Sequence, residues 1–581
     1  MLKKNVVLAV FTAVFLIGSI TILSFDSSKP MREPPSVSIK WKNVLVSNIT
    51  NKVKTTKKPD IYKPGDFIPK DSKTPSTTGD AANNGVPLIN DEQKKGGGHE
   101  MNRASPFDKT KLAYEANREK NIERASAVRN AMKFAWDRYV EFAWGDDELT
   151  PLQKKGKNWF HLGLSIVDGM DTLYFMGLEE EFATAREWVA TKLDHRKDTG
   201  EGLSVFEVTI RMLGAYLAMY EQTGDQMFLE KAEDIGNILL MAFPSDSPFP
   251  KTYLNFAKGT AKIPSWSGNC LIMADVGTLF IEFTHLSKLT GKSVWADKAA
   301  AILDKLDAMP KTTKGLIPIY VRPDGSGPCG STLSMGSMAD SYYEYLLKMW
   351  LYTPETHPQH NQYRRMYLEA VEAMHETLYT VSPKGEGYLS IIYGRENSHT
   401  MEHLACMAGG MFALGVAANI TQDDKLNKKH FEMAEQVTKT CVNSYFNSKS
   451  GLGPEQIYFD PRTGEQNIYG SHGKSEFILR PEAIESVFYM WRLTGDPKYQ
   501  DWGWKMFEAL EKHCRTPNGF VGIRDVNKPE GAKDDIQQSF FLAETIKYFY
   551  LLFADPSIIP LDKYVFNTEA HPIPIQRELK Y

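Results

Sequence analysis

The residues best suited to chemistry in this chain are carboxylic acids embedded in apolar, helix-forming segments. Glu207 and Arg211 lie four residues apart in Ser204–Met212, whose other members are mostly apolar. This spacing places both side chains on one helix face, where an ordinary surface ion pair is the simplest interpretation. The apolar neighbours favour a second interpretation, in which a desolvated Glu207 keeps its proton at neutral pH and acts as a general acid.

Three further acids stand where predicted helices begin. Asp340 follows a glycine-containing turn, and its alternative role is that of a helix N-cap. Glu482 directly follows Pro481, and Glu485 lies one turn further on. Carboxylates in a first helical turn also complement the helix dipole, so this pair has a purely structural interpretation as well.

Two segments near the C-terminus carry the remaining candidates. Glu544 lies in the aromatic segment Ser539–Thr545, where a solvent-exposed helix face does not explain it well. The segment Val565–Pro572 has no helical pattern and contains Thr568 and Glu569. Taken one at a time, none of these signals assigns a reaction.

The elements that must position these acids are predicted to be helices. Apolar residues recur at helical spacing in several segments separated by Gly, Pro, Asn or Asp clusters, and strand-like alternation is scarce. The clearest helical segments are Phe206–Tyr220, Leu271–Leu289, Tyr342–Leu351, Ala483–Leu493 and Ser539–Phe553.

A weak internal repeat organises these helices. Threonine-containing turns recur at intervals of 63 to 73 residues, at Thr223, Thr290, Thr353, Thr421 and Thr494. A period of this length corresponds to two helices and their connections, and the chain from residue 111 onward has room for about seven such pairs. Seven pairs could stack as an open solenoid or close into a ring, and the repeat alone does not choose between them.

The N-terminus has a different character. Residues 6–25 are uncharged and mostly apolar, and Lys3 and Lys4 precede them. This pattern predicts a transmembrane signal anchor with residues 1–5 in the cytosol, and a cleaved signal peptide is the alternative. Residues 26–110 are rich in Pro, Ser, Thr, Asn, Gly and Lys, which predicts a disordered lumenal stem before a folded domain at 111–581. The sequons at Asn48 and Asn419 are compatible with a lumenal location.

Composition excludes some classes of function. The chain has 581 residues, with 68 Lys and Arg against 72 Asp and Glu, so no overall basic field favours nucleic acid as a partner. Five cysteines allow at most two disulfide bridges and contain no CxxC pair that would indicate a zinc ribbon.

Together, the motifs and their order resemble one family. The stretches Trp144–Leu149 and Ile166–Leu173, followed by the segments around Glu207, Asp340 and Glu482, resemble the class I α-mannosidases, which are the α-1,2-mannosidases of glycoside hydrolase family 47. The resemblance covers residues 131 to 572. It implies an (αα)7 toroidal barrel, type II membrane topology, bound calcium, and removal of α-1,2-linked mannose from high-mannose N-glycans with inversion at the anomeric carbon.

The resemblance also implies roles for individual residues. It makes Glu207 the general acid, acting directly or through a water, and Glu482 the general base, while Asp340 is a third catalytic carboxylate that supports one of them. Thr568 would bind calcium through its hydroxyl and carbonyl oxygens, and Phe540 would stack on the mannose ring. The residues that would line the pocket or order metal-bound water are Arg211, His403, Glu485, Glu544 and Glu569.

The resemblance further predicts a disulfide between Cys406 and Cys441 and leaves Cys270, Cys329 and Cys514 unassigned. Met338 stands where the endoplasmic reticulum members of the family carry Arg. This favours a Golgi-type enzyme that accepts several mannose branches, with the endoplasmic reticulum as the alternative location.

Glu402 stands where Asp or Gly is expected, which leaves the branch preference open.

Two other functions are compatible with parts of this pattern. A lectin-like quality-control relative of the same fold, with slow or no hydrolysis, is the main alternative to an enzyme. A helical scaffold is a third reading, but it would leave the buried acids unexplained.

Overall fold

The computed structural model describes residues 106–200, 202–311, 313–467 and 474–577. The predicted cytoplasmic tail, the predicted membrane anchor (6–25) and the predicted stem up to residue 105 lie outside the described residues. The first described helix begins at Pro106, ahead of the predicted start of the folded domain at residue 111. Within the described part of the chain, no helix combines the length and hydrophobicity that a membrane span requires.

Helices dominate the described residues. They are α1 (Pro106–Ala116), α2 (Arg118–Ala143), α3 (Leu164–Phe175), α4 (Glu179–Thr191), α5 (Val205–Val208), α6 (Gly214–Thr223), α7 (Gln226–Leu239), α8 (Met273–Gly277), α9 (Phe280–Thr290), α10 (Val294–Ala308), α11 (Asp340–Tyr352), α12 (His360–Thr377), α13 (Met407–Ala417), α14 (Asp424–Asn447), α15 (Glu482–Thr494), α16 (Pro497–Cys514) and α17 (Ile546–Phe553).

Shorter helical pieces extend some of these helices. Two segments are π-helical: Thr209–Leu213 joins α5 to α6, and Phe541–Thr545 leads into α17. The 3-10 segments are Leu240–Ala242, Ser265–Ser267 and His403–Cys406.

The described helices alternate between an inner and an outer position. In α11 every residue from Ser341 to Tyr352 is buried, whereas in α4 only Ala185 and Val189 are. The inner set comprises α3, α5 with α6, α9, α11, α13, α15 and α17, and the outer set comprises α2, α4, α7, α10, α12, α14 and α16. This makes seven pairs in the described part of the chain, as the repeat predicts.

Contacts between the inner helices close the ring. Each inner helix packs against the next inner helix along the chain, and the π-helical segment before α17 packs against α3. The last inner helix, α17, also packs against the first outer helix, α2. The observed arrangement is therefore the closed ring and not the open solenoid.

The repeated threonine turns explain how several of the inner helices end and the next outer helix begins. Thr223 Oγ1 donates to the Met219 carbonyl, and Gly224 adopts a left-handed φ of 67°. Asp225 then caps the following helix by accepting a hydrogen bond from the Met227 N–H. Thr494–Asp496 repeats this pattern after α15.

Short strands occupy the connections from outer to inner helices and the segment after α17, and they were not predicted from the sequence. They are β1 (Glu148–Thr150), β2 (Lys155–Lys157), β3 (Leu203–Ser204), β4 (Tyr253–Asn255), β5 (Thr260–Lys262), β6 (Leu271–Ile272), β7 (Tyr320–Val321), β8 (Thr332–Leu333), β9 (Tyr379–Val381), β10 (Gly387–Leu389), β11 (Ile392–Tyr393), β12 (Glu396–Asn397), β13 (Thr400–Glu402), β14 (Gln456–Phe459), β15 (Gln466–Asn467), β16 (Arg515–Thr516), β17 (Gly519–Phe520), β18 (Gly522–Ile523), β19 (Lys533–Asp534), β20 (Tyr564–Phe566) and β21 (Pro572–Pro574).

All the pairings between these strands are antiparallel, and they form two- and three-stranded sheets. Strands this short carry too few residues for an alternating pattern to be recognised. The predicted helix Leu271–Leu289 is wrong in its first part for the same reason. The chain forms β6 there, then α8, and Thr278 breaks the helix before α9 begins at Phe280.

Two disulfide bridges are present among the described residues. The predicted bridge between Cys406 and Cys441 is confirmed, with a Cα–Cα distance of 5.9 Å. The structure also pairs Cys270 with Cys329, at a Cα–Cα distance of 6.2 Å, a bridge that the sequence did not assign. Cys514 is buried as a free thiol whose pKa is raised by burial, so it is an unreactive core residue.

Candidate active site

The predicted catalytic acids lie at the same end of the ring. Asp340 is the first residue of α11, Glu482 is the first residue of α15, and Glu207 lies in the short helix α5. Inner helices are separated by outer helices that return the chain, so all of them run in the same direction. Their N-terminal ends therefore meet at one mouth, which the connections with the short strands surround.

Arg211 is the centre of a buried ion-pair network at this mouth. Its Nε donates to Glu207 Oε2 at 2.8 Å, and its Nη1 donates to Ser539 Oγ at 3.2 Å and to Glu569. Asp168 Oδ2 lies 3.4 Å from the same Nη1 atom. Burial lowers the pKa of Arg211, but the surrounding carboxylates outweigh this effect, so it is raised and the guanidinium stays charged.

This network decides between the two interpretations of Glu207, an ordinary ion pair with Arg211 or a carboxyl desolvated by apolar neighbours. The ion pair is observed, with Arg211 buried and the Glu207 side chain 27% exposed. The apolar residues beside Glu207 in the sequence point to other helix faces, and the Cζ atom of Arg211 lies 5.8 Å from the Phe540 ring centroid.

Glu482 is a buried carboxylate held in its ionised form. His403 Nδ1 lies 2.7 Å from Glu482 Oε2, and Arg480 Nη1 lies 3.6 Å from Oε1. Burial by itself would raise the pKa of Glu482, but Arg480 and His403 outweigh it and the pKa is lowered. A buried carboxylate in this state is suited to accept a proton.

Asp340 has the opposite character. The only hydrogen bond to its carboxylate from the described residues comes from the Ser341 N–H, at 2.8 Å to Oδ1. Burial, together with Glu344, Glu482 and other nearby carboxylates, raises the pKa of Asp340 to about 8. Asp340 is therefore a neutral carboxylic acid at pH 7, and the N-cap interpretation does not describe it.

More acids crowd around these two residues than the described cations can balance. Glu344 pairs with Lys348 and accepts a hydrogen bond from Thr568 Oγ1 at 2.7 Å. Burial and the neighbouring Glu344 and Glu482 outweigh the effect of Lys348 and raise the pKa of Glu485 to about 8. Burial and the adjacent carboxylates likewise raise the pKa of Glu544 well above its usual range.

A C-terminal hairpin formed by β20 and β21 inserts into the ring and carries several of the predicted residues. Asn567 fastens it, because its Nδ2 donates to the Ile210 carbonyl at 2.8 Å and to Glu282 Oε1 at 2.9 Å. Its Oδ1 accepts hydrogen bonds from the Glu569 and His571 N–H groups. Ile210 lies in the π-helical segment beside Arg211, so the hairpin and the Arg211 network are fixed to each other.

Asp168, Asp171 and His571 lie within the stretches Ile166–Leu173 and Val565–Pro572, and no role was predicted for them from the sequence. In the structure, His571 Nδ1 lies 3.0 Å from Asp171 Oδ2, and its Nε2 lies 3.3 Å from Asp168 Oδ1. Burial opposes a charge on His571, but both aspartates raise its pKa. Lys547 Nζ also donates to Asp171 Oδ2 at 2.9 Å. These charges hold the hairpin against the inner helices.

Asp275 was missed altogether, and Glu148 was quoted only within the family stretch Trp144–Leu149. Burial and the nearby Glu207 raise the pKa of Asp275 well above its usual range, and its Oδ2 has no hydrogen-bond partner among the described residues. Burial also raises the pKa of Glu148 to about 7. Asp275 stands between Ala274 and Val276, which is the signal that identified Glu544, whereas Glu148 follows two aspartates and gave no such signal.

Thr568 offers a site that suits a hard cation. Its hydroxyl donates to Glu344, which leaves the oxygen lone pairs open, and no hydrogen bond to its carbonyl oxygen is found among the described residues. Oxygen donors beside an excess of carboxylates match the preference of Ca²⁺. Within the described ranges, no group of three or more His, Cys, Asp or Glu side chains is arranged as direct metal ligands.

Met338 and Glu402 lie together at the mouth. Met338 has a φ of 73°, which is rare for a residue with a Cβ atom. Glu402 accepts hydrogen bonds from the N–H of the adjacent Ser337 at 2.8 Å and from Gln456 Nε2 at 3.3 Å. Glu402 thus fixes the turn that carries Met338 and leads directly to Asp340.

A closed ring of helix pairs with a neutral and an ionised carboxyl at one mouth has the groups that glycoside hydrolases use to cleave a glycosidic bond. Residues 131–575 match the family model described as Glycosyl hydrolase family 47. The chain belongs to this family.

Curated relatives agree with this assignment. Mannosyl-oligosaccharide alpha-1,2-mannosidase IA of Drosophila melanogaster is 42% identical over 78% of this chain and 68% of its own length. Mannosyl-oligosaccharide 1,2-alpha-mannosidase MNS1 of Arabidopsis thaliana is 44% identical over 78% of this chain and 79% of its own. The solved structure of an α-1,2-mannosidase from Trichoderma reesei has a TM-score of 0.71 and 30% identity, covering 78% of this chain and 99% of that chain.

The role of Asn567 in fastening the hairpin is testable. Asn567→Asp removes the donor to the Ile210 carbonyl and places a carboxylate beside Glu282, so the free energy of unfolding should fall by at least about 2 kcal/mol. Thermal and denaturant unfolding measure this change. Asn447→Asp, on an exposed side chain, is the matched control and should change stability by less than about 0.5 kcal/mol. Equal stability of the two variants would contradict the fastening role.

Proposed function

We propose that this chain is an inverting exo-glycosidase that removes α-1,2-linked mannose from high-mannose N-glycans. Membership of glycosyl hydrolase family 47 supports the reaction class. The names of relatives that are 40 to 44% identical, all of them mannosyl-oligosaccharide α-1,2-mannosidases, support the sugar and the linkage. The observation that carries the mechanism is the opposite protonation of two neighbouring carboxyls, Asp340 and Glu482.

In this mechanism Glu482 is the general base. Its carboxylate takes a proton from a water, whose oxygen forms the new bond to the anomeric carbon while the bond to the leaving glycosidic oxygen breaks. A carboxylic acid on the other side of the bond donates its proton to that leaving oxygen. The buried position of Glu482 and its pairing with His403 and Arg480 keep it ready to accept the proton.

Two residues, Glu207 and Asp340, are candidates for the general acid. The family resemblance assigns it to Glu207, acting directly or through a water, and gives Asp340 a supporting role. Asp340 is the neutral carboxylic acid at pH 7, whereas Glu207 forms a salt bridge with Arg211. We therefore propose that Asp340 holds the proton that reaches the leaving oxygen, and that Glu207 and Arg211 position the sugar.

The remaining residues form the sugar pocket in this proposal. The Phe540 ring is partly exposed at the mouth, where it can pack on the apolar face of a mannose ring. His403 orients Glu482. The ionisable residues Arg211, Glu485, Glu544 and Glu569 line the pocket and offer hydrogen bonds to sugar hydroxyls or to metal-bound water.

Calcium completes the proposed site. Thr568 would hold the ion with its hydroxyl and carbonyl oxygens, and the surrounding glutamates would hold its water ligands. When bound, the ion would orient the mannose ring and polarise its hydroxyls. The excess of buried carboxylates around Glu344, Glu485 and Glu544 supports this proposal, since a cation there would offset their mutual repulsion.

The hydrolytic function is tested by release of free mannose from a defined high-mannose glycan by the purified full-length chain. Glu482→Gln should lower kcat by about 10³-fold or more while glycan binding persists, because only the base is lost. The control Glu123→Gln changes an exposed acid and should leave turnover unchanged. Glycan binding without mannose release by the unmodified chain would instead favour the lectin-like alternative.

The pH profile of kcat/KM identifies the acid in the same assay. Activity should fall at low pH as Glu482 becomes protonated, and fall again above about pH 8 as Asp340 loses its proton. Asp340→Asn should remove most of the activity together with this alkaline limb, and Glu207→Gln should retain the limb. If Glu207→Gln loses the limb and Asp340→Asn keeps it, Glu207 is the acid.

The calcium site is tested by thermal stability as well as activity. After treatment with a chelator, added Ca²⁺ should raise the Tm of the unmodified chain, because a ligand that binds the folded state stabilises it. Thr568→Val lacks the hydroxyl and should need at least about tenfold more Ca²⁺ for the same rise, whereas Thr568→Ser keeps the hydroxyl and should behave normally. A Tm that changes with neither chelator nor added Ca²⁺ would rule out the calcium site.

We further propose that the protein is a single-pass type II protein of the Golgi membrane with the catalytic domain in the lumen. The apolar run at 6–25 after Lys3 and Lys4, and Met338 at the mouth, support this location. In sealed Golgi vesicles, protease should leave the catalytic domain intact until detergent is added. Cleavage of the domain in intact vesicles would contradict the topology, and recovery in endoplasmic reticulum fractions would favour the alternative compartment.

A further inference from the structure

We propose that Tyr445, on the outer helix α14, is a positioning residue for Glu482 and acts through His403, and that the Cys406–Cys441 bridge holds this relay in place. The inference rests on the proposed role of Glu482 as the general base. It assigns a function to a tyrosine outside the sugar pocket and a mechanical role to the disulfide.

The relay consists of two short hydrogen bonds in series. Tyr445 Oη lies 2.7 Å from His403 Nε2, and His403 Nδ1 lies 2.7 Å from Glu482 Oε2. All three residues are at least 93% buried, so water does not compete for these hydrogen bonds. An ionised Glu482 accepts the proton on Nδ1, which leaves Nε2 of a neutral imidazole as the acceptor for the Tyr445 hydroxyl. Tyr445 therefore selects the tautomer in which His403 donates to the base.

A second row of contacts runs beside the first. Cys406 lies three residues after His403, Cys441 lies four residues before Tyr445, and Ser486 lies four residues after Glu482. These spacings place each residue of the second row one helical turn from its counterpart in the first row.

The contacts of the second row are covalent or short. Cys406 is bonded to Cys441, and the Cys406 carbonyl accepts a hydrogen bond from Ser486 Oγ at 2.5 Å. Ser486 Oγ also accepts a hydrogen bond from the Gly410 N–H at 2.7 Å.

The two rows together join three separate elements of the ring. They connect α14, the 3-10 segment His403–Cys406 and the first turn of α15, where Glu482 begins the helix. A single hydrogen-bonded row would let the 3-10 segment rotate about the relay, whereas a second, parallel row that contains a covalent bond opposes that rotation. A base held in this way keeps its orientation through the reaction, which is the kind of support that precise catalytic geometry requires.

Other charged groups also act on Glu482 and must be considered in any pH measurement. Arg480 approaches Glu482 and forms hydrogen bonds with Glu455, and the carboxylates of Asp340, Glu485 and Glu544 lie near enough to interact electrostatically. None of these groups changes when the Tyr445 hydroxyl is removed. A shift in the acid limb of the pH profile after that change is therefore attributable to the relay.

The experiment compares Tyr445→Phe with the unmodified full-length chain in mannose release. Phenylalanine keeps the ring, which makes an edge contact with Phe477, but removes the hydroxyl. We expect kcat to fall between about tenfold and hundredfold, KM to change less than twofold, and the acid limb of the pH profile to move to higher pH. The upward move follows because a less well oriented His403 stabilises ionised Glu482 less.

The matched control is Tyr216→Phe. Tyr216 Oη lies 3.0 Å from His195 Nε2, and His195 Nδ1 lies 2.8 Å from Asp234 Oδ2, so the same chemical group is lost from the same type of triad elsewhere in the ring. This variant should keep the kcat and pH profile of the unmodified chain even if its Tm falls. A Tyr445→Phe variant that resembles it, with lower Tm and unchanged kinetics, would overturn the proposal.

The disulfide is tested by the double variant Cys406→Ala with Cys441→Ala, which should show a smaller loss of kcat and a shift of the acid limb in the same direction. If this double variant does not fold, the kcat and pH profile of Tyr445→Phe by themselves test the relay. Glu482→Gln separates the two proposals. Full activity in Glu482→Gln would overturn the base assignment and the relay together, whereas its inactivity beside unchanged kinetics in Tyr445→Phe would overturn only the relay.

Discussion

Buried negative charge is the constraint on which the rest of the site depends. Carboxyl groups from several inner helices and the C-terminal hairpin meet at one mouth, away from bulk water, and cannot all remain ionised there. The structure answers this constraint in two ways. Arg211, Lys348 and Lys547 pair with some of the acids, whereas Asp340 and Glu485 carry protons. The same repulsion that makes the site costly thus produces a neutral acid beside an ionised base.

The closed ring is what makes this concentration of charge stable. Inner helices that all run in one direction bring their N-terminal ends, with their positive dipole ends, to the mouth where Asp340 and Glu482 begin α11 and α15. The hairpin that carries Asn567 and Thr568 inserts from the C-terminus and adds its hydrogen bonds to the π-helical segment Thr209–Leu213. π-helical segments often occur at functional sites, and both of those described here carry residues of the site, Arg211 in Thr209–Leu213 and Glu544 in Phe541–Thr545.

Support for the site extends outward to the outer helices. Tyr445 and Cys441 on α14 connect to His403 and Cys406, and so to Glu482. On another side, Glu402 fixes the turn that leads from Met338 to Asp340. The base and the neutral acid therefore each have their own anchor. This arrangement favours an enzyme over a binding module of the same fold, because binding alone does not require a base held in one orientation.

The sequence by itself determined the helices and most members of the site. Helical periodicity and the repeated threonine turns depend on contacts within a few residues, so they predict paired helices, and the chain length then predicts about seven pairs. A helix start after Pro481 made Glu482 a candidate, and an aromatic helical segment made Glu544 one. Only the tertiary structure decided the closure of the ring, the short strands and the pairing of Cys270 with Cys329. It also decided that Glu207 is salt-bridged while Asp340 holds a proton, because protonation depends on charges that come from distant parts of the chain.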